Sequence, residues 1–385
     1  MKAPSDADLA RLARFEQLAQ ADPANDALAA DGFDLALQLR DLGVAARFFD
    51  RLVAIDAQAP GTRFREGRLL LARGDFALAA ATFEALRAEV GPGAAIDSQW
   101  AAACAATGDH EAAVALLLPY AEQRTLPPGP WSLLFNALHR IQRFDVGVAL
   151  AREARAAFAS DAASLGAASL LALDANDLPL AASLAADALR LDGAQLEALV
   201  VAGFAALNES EHARAIALFK EATAASPGEP RAWSGLGFAQ LAAGELGSAE
   251  QAFERSLAGN RAHAGTWHGL AWTFLAAKNL PRAQAAFEGA LECDRNFAET
   301  HGGLALVAHL QGRSQAAEQA LETALRLDKR SPTARYAQAL MRGTPLDGYS
   351  KAAVEHILEA ASERDSRLTA RALFALARRD GKALS

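Results

Sequence analysis

Cysteine, aromatic residues, long apolar runs and any strong excess of one charge are all scarce in this chain. Its 385 residues include only two cysteines. Cys104 and Cys293 lie far apart and have no metal-ligand spacing, which argues against a disulfide framework and for a reducing compartment, the cytoplasm. Aromatics make up 7% although the apolar share is 52%, and alanine fills the difference. Alanine is the best helix former and occupies little volume, so closely packed helices are expected. No run reaches the roughly 18 apolar residues of a membrane-spanning helix; the Ala/Leu stretch 165–173 is too short. The opening MKAPSDADLARLARFEQ puts charges where a signal peptide needs an apolar stretch. A formal net charge of −8, with both signs interspersed, gives no general attraction for phosphate backbones, so nucleic acid is not an expected partner. The Ala/Arg/Asp-rich composition fits a bacterium of high genomic GC content.

Catalytic and cofactor signatures are missing too. There is no convincing strand, phosphate-binding loop or nucleophile elbow, and Gly91-Pro92-Gly93 reads as a loop. His263, His268, His301 and His309 fall within fifty residues but on different helices, with no His-Glu-x-x-His arrangement. No enzyme activity, cofactor or metal is expected.

What is present is a repeat. The segment from Arg231, RAWSGLGFAQLAAGELGSAEQAFERSLAGNR, aligns with that from Gly265, GTWHGLAWTFLAAKNLPRAQAAFEGALECDR. Trp233 and Trp267, Leu236 and Leu270, Ala249 and Ala283, and Phe253 and Phe287 are each offset by 34. One unit earlier stand Leu199, Gly203, Ala215, Phe219 and Pro227; one unit later, Leu304, Ala317, Leu321 and Ala324. The register continues back through Leu165 and Ala181, Trp131 and Leu138, Trp100 and Ala113, to Gly67 and Phe83. Eight consecutive units thus cover residues 60–331.

Numbering each unit so that Trp233 is position four, positions four, seven or eight, and eleven share one face of a first helix, and positions twenty, twenty-four and twenty-seven one face of a second. Gly237, Ala249 and Ala290 let backbones approach, while Phe253 and Phe287 fill the gaps. Gly74-Asp75, Gly108-Asp109, Gly244-Glu245, Lys278-Asn279 and Gly312-Arg313 read as turns between the helices. Pro281 fits a first helical turn; Pro119 must kink or end its helix.

This pattern resembles the tetratricopeptide repeat, with its Trp, Leu-Gly, Tyr, Ala, Phe, Ala and Pro over 34 residues. The Trp-x-x-Leu-Gly start is complete only at Trp233, Leu236 and Gly237. The resemblance implies an all-α fold, a right-handed α-solenoid of stacked antiparallel helix pairs. No unit buries its apolar face alone, so the ends need caps. Residues 1–59 read as an N-terminal helix plus a degenerate repeat, in which Gly43 and Phe49 stand in for the usual markers. Residues 332–385 read as a degenerate repeat that breaks at 343–348 and ends in a capping helix, 368–379. Pro127, Pro128 and Pro130 mark either a bend in one continuous array or a hinge between two.

In such repeats positions five, nine and twelve of the first helix line a concave groove. Position nine runs through Asn136, Leu170, Phe204, Phe238, Trp272 and Leu306, and position twelve through Leu207, Leu241 and Leu275. Position five is small through much of the array, at Ser98, Ser132, Gly166, Ser234 and Gly302, and His268 also falls there. The expected function is therefore a scaffold or adaptor whose apolar groove binds a peptide or amphipathic helix of a partner protein. Packing of position nine between units, or occupancy of the groove by the chain's own C-terminal helix, are the competing readings. A regulatory subunit of a separately encoded enzyme and a self-associating homo-oligomeric scaffold are the functional alternatives. Asn136, with Arg140 a turn later, matches part of the carboxylate clamp of co-chaperone repeats, but the position-five lysine is missing. Arg63, Arg65 and Arg68 form a small basic patch, either a solvated face or a seat for an acidic segment.

Overall fold

The turn inside each helix pair sets the architecture. In the computed structural model, which describes residues 5–342, a left-handed residue closes the first helix of every pair. These residues are Arg40, Gly74, Gly108, Gln142, Asn176, Ser210, Gly244, Lys278 and Gly312, with φ between 57° and 88°. Their spacing is 34 throughout. The next residue donates its N–H to the carbonyl five residues back, as in Asp75 to Leu70 at 3.0 Å and Glu245 to Gln240 at 2.8 Å. That bond satisfies a carbonyl the helix end leaves open and reverses the chain. The spacing holds back to Arg40, so the pair ahead of residue 60 keeps the period.

The described residues form 21 helices and no strand. First come α1 (Asp6–Ala21), α2 (Asp26–Gln38), α3 (Leu42–Asp56), α4 (Pro60–Arg73) and α5 (Phe76–Val90). Then follow α6 (Ala94–Ala106), α7 (His110–Glu122), α8 (Pro130–Arg140), α9 (Phe144–Glu153), α10 (Arg155–Phe158) and α11 (Ala162–Asp174). Beyond lie α12 (Leu178–Leu191), α13 (Leu196–Asn208), α14 (His212–Ala225), α15 (Pro230–Ala243) and α16 (Leu246–Gly259). The last are α17 (Ala264–Ala276), α18 (Leu280–Cys293), α19 (Ala298–Leu310), α20 (Ser314–Leu327) and α21 (Pro332–Met341). The chain divides into two compact units, Met1–Leu171 and Ala172–Ser385, a boundary inside α11 and away from the prolines at 127–130. In each unit the helices stack pair upon pair, an all-α solenoid. The expected break at 343–348 and capping helix at 368–379 lie outside the described residues.

Two packing devices recur. The position-24 phenylalanine of a second helix is held between glycines of two first helices. A Cβ on Gly203 would stand 2.7 Å from the Phe219 ring, and one on Gly235 only 2.2 Å from it. Gly237 and Gly269 flank Phe253 in the same way, at 2.7 and 2.3 Å. Only glycine allows helices this close with a phenyl ring between them. In the first unit Gly32 and Phe48 play these parts, where Gly43 and Phe49 were expected; Phe48 is the buried ring. The second device is at position four. Trp233 Nε1 donates to the Pro227 carbonyl at 2.8 Å, Trp267 Nε1 to Arg261 at 2.9 Å, His301 Nε2 to Arg295 at 2.8 Å and Arg335 Nε to Lys329 at 3.0 Å. Each ties a helix to the carbonyl six residues earlier, in the preceding turn. An N–H on a flat side chain is what the position requires, which explains why it tolerates histidine and arginine.

Pro281 sits in the first turn of α18 as expected, but Pro119 lies inside α7, which runs on to Glu122. The helix was expected to kink or end there. Losing one N–H near the last turn removes a single bond, and packing of the buried Val114, Leu117 and Ala121 carries the helix through.

Candidate protein-interaction face

The second unit gathers most of the expected groove residues into one hydrophobic cluster. Leu207, Phe238, Leu241, Trp272 and Leu306 are buried in it, and Phe204 and Leu275 pack against it half-buried. Phe238 is 7% exposed, Trp272 1% and Leu306 4%. An exposed apolar ladder was expected there, and these side chains do not form one. The cause is the close approach of the helices. Phe204 meets Phe219 edge-on at 5.0 Å, Phe238 meets Phe253 at 5.0 Å, and Trp272 meets Phe287 at 5.6 Å. With two glycines against each of Phe219 and Phe253, and Gly303 against Phe287, the position-nine ring drops into the same gap. Burial of side chains this size contributes about 1.5–3 kcal/mol each to folding. Leu170 and Asn136 belong to the first unit, Leu170 half-buried and Asn136 exposed.

Beside that cluster runs a row of buried polar groups that links one first helix to the next. Thr266 Oγ1 on α17 donates to Ser234 Oγ on α15 at 3.1 Å. His268 Nε2 on α17 lies 2.7 Å from Thr300 Oγ1 on α19. The Thr333 N–H, at the start of α21, donates to Glu299 Oε2 on α19 at 3.1 Å. Next to this last bond the backbones nearly touch: a Cβ on Gly302 would come 2.7 Å from the Ala334 nitrogen. The sequence pattern marks Ser234 as a small position-five residue and His268 as a groove candidate, but not Thr266, Glu299, Thr300 and Thr333, which join them in the row. Their recurrence at steps of 32 to 34 (Ser234 to Thr266, His268 to Thr300, Glu299 to Thr333) was the available signal.

Burial sets the ionisation of the row. His268, 1% exposed and lying against Phe287 and Phe297, is pushed down to about 3 by loss of solvent, with His263 adding to the effect. It is neutral across the physiological range. Burial pushes the Glu299 carboxyl up, against the opposing hydrogen bonds from Thr333 and Ser331. Among the described residues, His268 Nδ1, Trp272 Nε1 and Glu299 Oε1 are buried and have no hydrogen-bond partner. These three stand on α17 and α19; other such atoms lie on Arg51, Arg65, Ser98, His110, His212, Gln240 and Thr333.

The remaining candidates have plainer surroundings. Both cysteines are free thiols, Cys104 buried and Cys293 half-buried, and burial raises both above the ordinary thiol range. Among the described residues no three His, Cys, Asp or Glu side chains are grouped to hold a metal ion. No helix there is long and apolar enough to cross a membrane. His263 caps α17, its Nδ1 accepting the Thr266 N–H at 3.1 Å. In the basic patch Arg63 pairs with Glu89, while Arg65 and Arg68 both pair with Asp34.

Two family models of the tetratricopeptide repeat match this chain, one at residues 206–271 and 240–310 and the other at 298–331. The segment that holds the buried ladder and the polar row is therefore built of tetratricopeptide repeats, a type that generally mediates protein–protein interaction. No curated protein matches the chain in sequence. Solved structures do. PilF of Pseudomonas aeruginosa is 17% identical with a TM-score of 0.46, the match covering 57% of this chain and 98% of PilF. YrrB, a TPR protein with an unusual peptide-binding site, is 18% identical with a TM-score of 0.38, covering 50% and 97%. A chain of the APC/C hetero-tetramer Cut9–Hcn1 is 15% identical with a TM-score of 0.42, covering 89% and 78%. Likenesses this distant say nothing of partners.

Proposed function

We propose that this chain is a non-catalytic protein-interaction scaffold, and that the first-helix face of α15, α17 and α19 takes a segment of a partner protein. The observation that carries the location is the set of unpartnered buried atoms, His268 Nδ1, Trp272 Nε1 and Glu299 Oε1. Leaving such a group unpaired costs about 1–3 kcal/mol, and folded proteins keep few of them. Here an indole donor, a carboxyl oxygen and an imidazole nitrogen lie on the first helices of two successive pairs, α17 and α19, beside the apolar ladder of Phe238, Trp272 and Leu306. A peptide segment supplies matching N–H and C=O groups, so the complex satisfies what the free chain does not. The atoms are buried in the free chain, so binding includes a local opening of the face, and affinity is lowered by that cost.

The test is affinity capture from lysate of the source cell, comparing wild type with Trp272→Phe/Glu299→Gln. These changes remove the indole N–H and the carboxylate charge, and Trp272→Phe also leaves a smaller ring in the buried site. Circular dichroism checks the fold. The reading requires that a partner held by the wild type be lost from the folded variant. A variant that keeps its fold and every partner would move the docking face elsewhere.

A further inference from the structure

The first unit carries a cavity of about 570 Å³ between α1, α2 and α4, lined by Arg11, Asp31, Asp34, Leu35, Gln38 and Arg68 among others. The lining itself holds Arg11 and Arg68 against Asp31 and Asp34, and Arg65 reaches Asp34 from outside it. Arg65 Nη2 and Arg68 Nη1 converge on the single Asp34 carboxylate, the first at 2.8 Å. One carboxylate answering two guanidiniums leaves a positive charge over. Arg11, exposed on α1, has no carboxylate within 4.0 Å among the described residues. Counting Asp31, this corner holds three arginines against two aspartates, in a chain whose net charge is −8.

The guanidiniums are also held in place. Arg11 lies 5.6 Å from the Phe15 ring centroid, and Arg68 lies 5.8 and 5.9 Å from those of Phe33 and Phe64. At these distances the rings attract the guanidiniums through cation–π contact and leave their N–H groups available for hydrogen bonding. Arg68 uses one terminal nitrogen on Asp34, leaving its other N–H donors for a second acceptor. The exposed Gln38 amide and Asp31 carboxylate at the same cavity match peptide amide groups.

We propose that this cavity binds an acidic stretch of a partner protein, whose side-chain carboxylates engage Arg11 and Arg68. The site is separate from the α15–α19 face and stands or falls independently of it. Asp34 is then an internal competitor: it occupies the two arginines in the free chain and moderates the affinity for an external carboxylate.

The test titrates a fluorescent, end-capped hexaglutamate peptide into the full chain and follows anisotropy at low and high salt, with capped hexalysine as the opposite-charge probe. Saturable, salt-weakened binding of hexaglutamate alone is expected. Arg11→Gln and Arg68→Gln are each expected to weaken it about tenfold, the loss of one charge-assisted hydrogen bond. Asp34→Asn frees both arginines and is expected to tighten it. Thermal melts identify any variant that fails to fold, and Arg11→Gln, on an exposed side chain, keeps the test open if Arg68→Gln does. Trp272→Phe/Glu299→Gln leaves hexaglutamate binding unchanged. The proposal is overturned if the wild type shows no saturable hexaglutamate binding. It is equally overturned if Arg11→Gln and Asp34→Asn leave the affinity where it was, which would make these arginines packing groups for Asp34.

Discussion

Replacing Gly235 by alanine adds one methyl group where the structure has no room for it. The new Cβ would stand 2.2 Å from Phe219 Cε1 and 2.4 Å from Cζ, more than an ångström inside ordinary contact. The ring cannot slide away, because Gly203 on a second helix leaves only 2.7 Å for a Cβ of its own. Either α15 moves off α14 or the ring leaves its rotamer, and overpacking of this kind costs about 1–3 kcal/mol. Alanine's better helix propensity returns up to about 1 kcal/mol, so the net loss is about 0–2 kcal/mol. The control is Gly247→Ala in α16, where nothing lies within 4 Å of the added atom and only the propensity gain remains. Urea unfolding followed by helical ellipticity should separate the two variants by the steric cost, about 1–3 kcal/mol. Phe219→Leu in the Gly235→Ala background should recover part of it. If Gly235→Ala is as stabilising as Gly247→Ala, the glycine–phenylalanine clamp is not what sets the helix spacing.

Three further outcomes are expected. His268 titrates near 3 when folded and near 6.5 when unfolded, so the unfolded chain takes up a proton that the folded one refuses. The His268 contribution is intact above pH 6.5 and is lost as pH falls toward 3, at up to about 1.4 kcal/mol per pH unit. Glu299, raised, acts with the opposite sign, so the comparison is wild type against His268→Gln: urea midpoints at pH 7, 6, 5 and 4 should fall less steeply in the variant. Asp97, 1% exposed, accepts from Arg87 Nε and Tyr120 Oη at 2.7 Å each. Asp97→Ala should destabilise by about 2–3 kcal/mol, below the full buried-pair figure because water reaches Arg87, and thermal or urea denaturation reads it. Lys278 adopts φ of 59° at the turn position held by glycine at Gly74, Gly108, Gly244 and Gly312; Lys278→Gly should stabilise by about 0.5–1 kcal/mol in the same assay, and Gly312→Ala should do the reverse.

Periodicity made the helix pairs, their register and the turn at Gly244-Glu245 legible, because a 34-residue offset of small and aromatic residues has one simple helical solution. It also put Phe204, Phe238 and Trp272 on one face. Whether that face stood open was not legible. The answer lies in the distance between helices, which depends on Gly203, Gly235, Gly237 and Gly269 facing one another across rings from other helices. A one-dimensional pattern reports which residues share a side, not how far away the next helix stands. The same limit explains the one-residue slip at Phe48. Pro119 does not end its helix at once, because burial of Leu117 and Ala121 carries the helix one turn further. The polar row escaped notice because serine and threonine on a first helix look like solvated positions until a second helix is laid against them.

The left-handed residues closing the turns also make the chain divisible. Gly244 and Lys278 occupy equivalent points, so excising residues 245–278 would join Gly244 to Asn279 with the turn geometry intact. Phe287 would then take the place of the excised Phe253, between Gly237 and Gly303 instead of Gly237 and Gly269, the same clamp from a different part of the chain. Removing 33 or 35 residues would instead rotate every following side chain by about 100° on its helix, out of reach of its partner. The protein can thus be shortened or extended only in whole steps, like a rack cut to the pitch of its teeth.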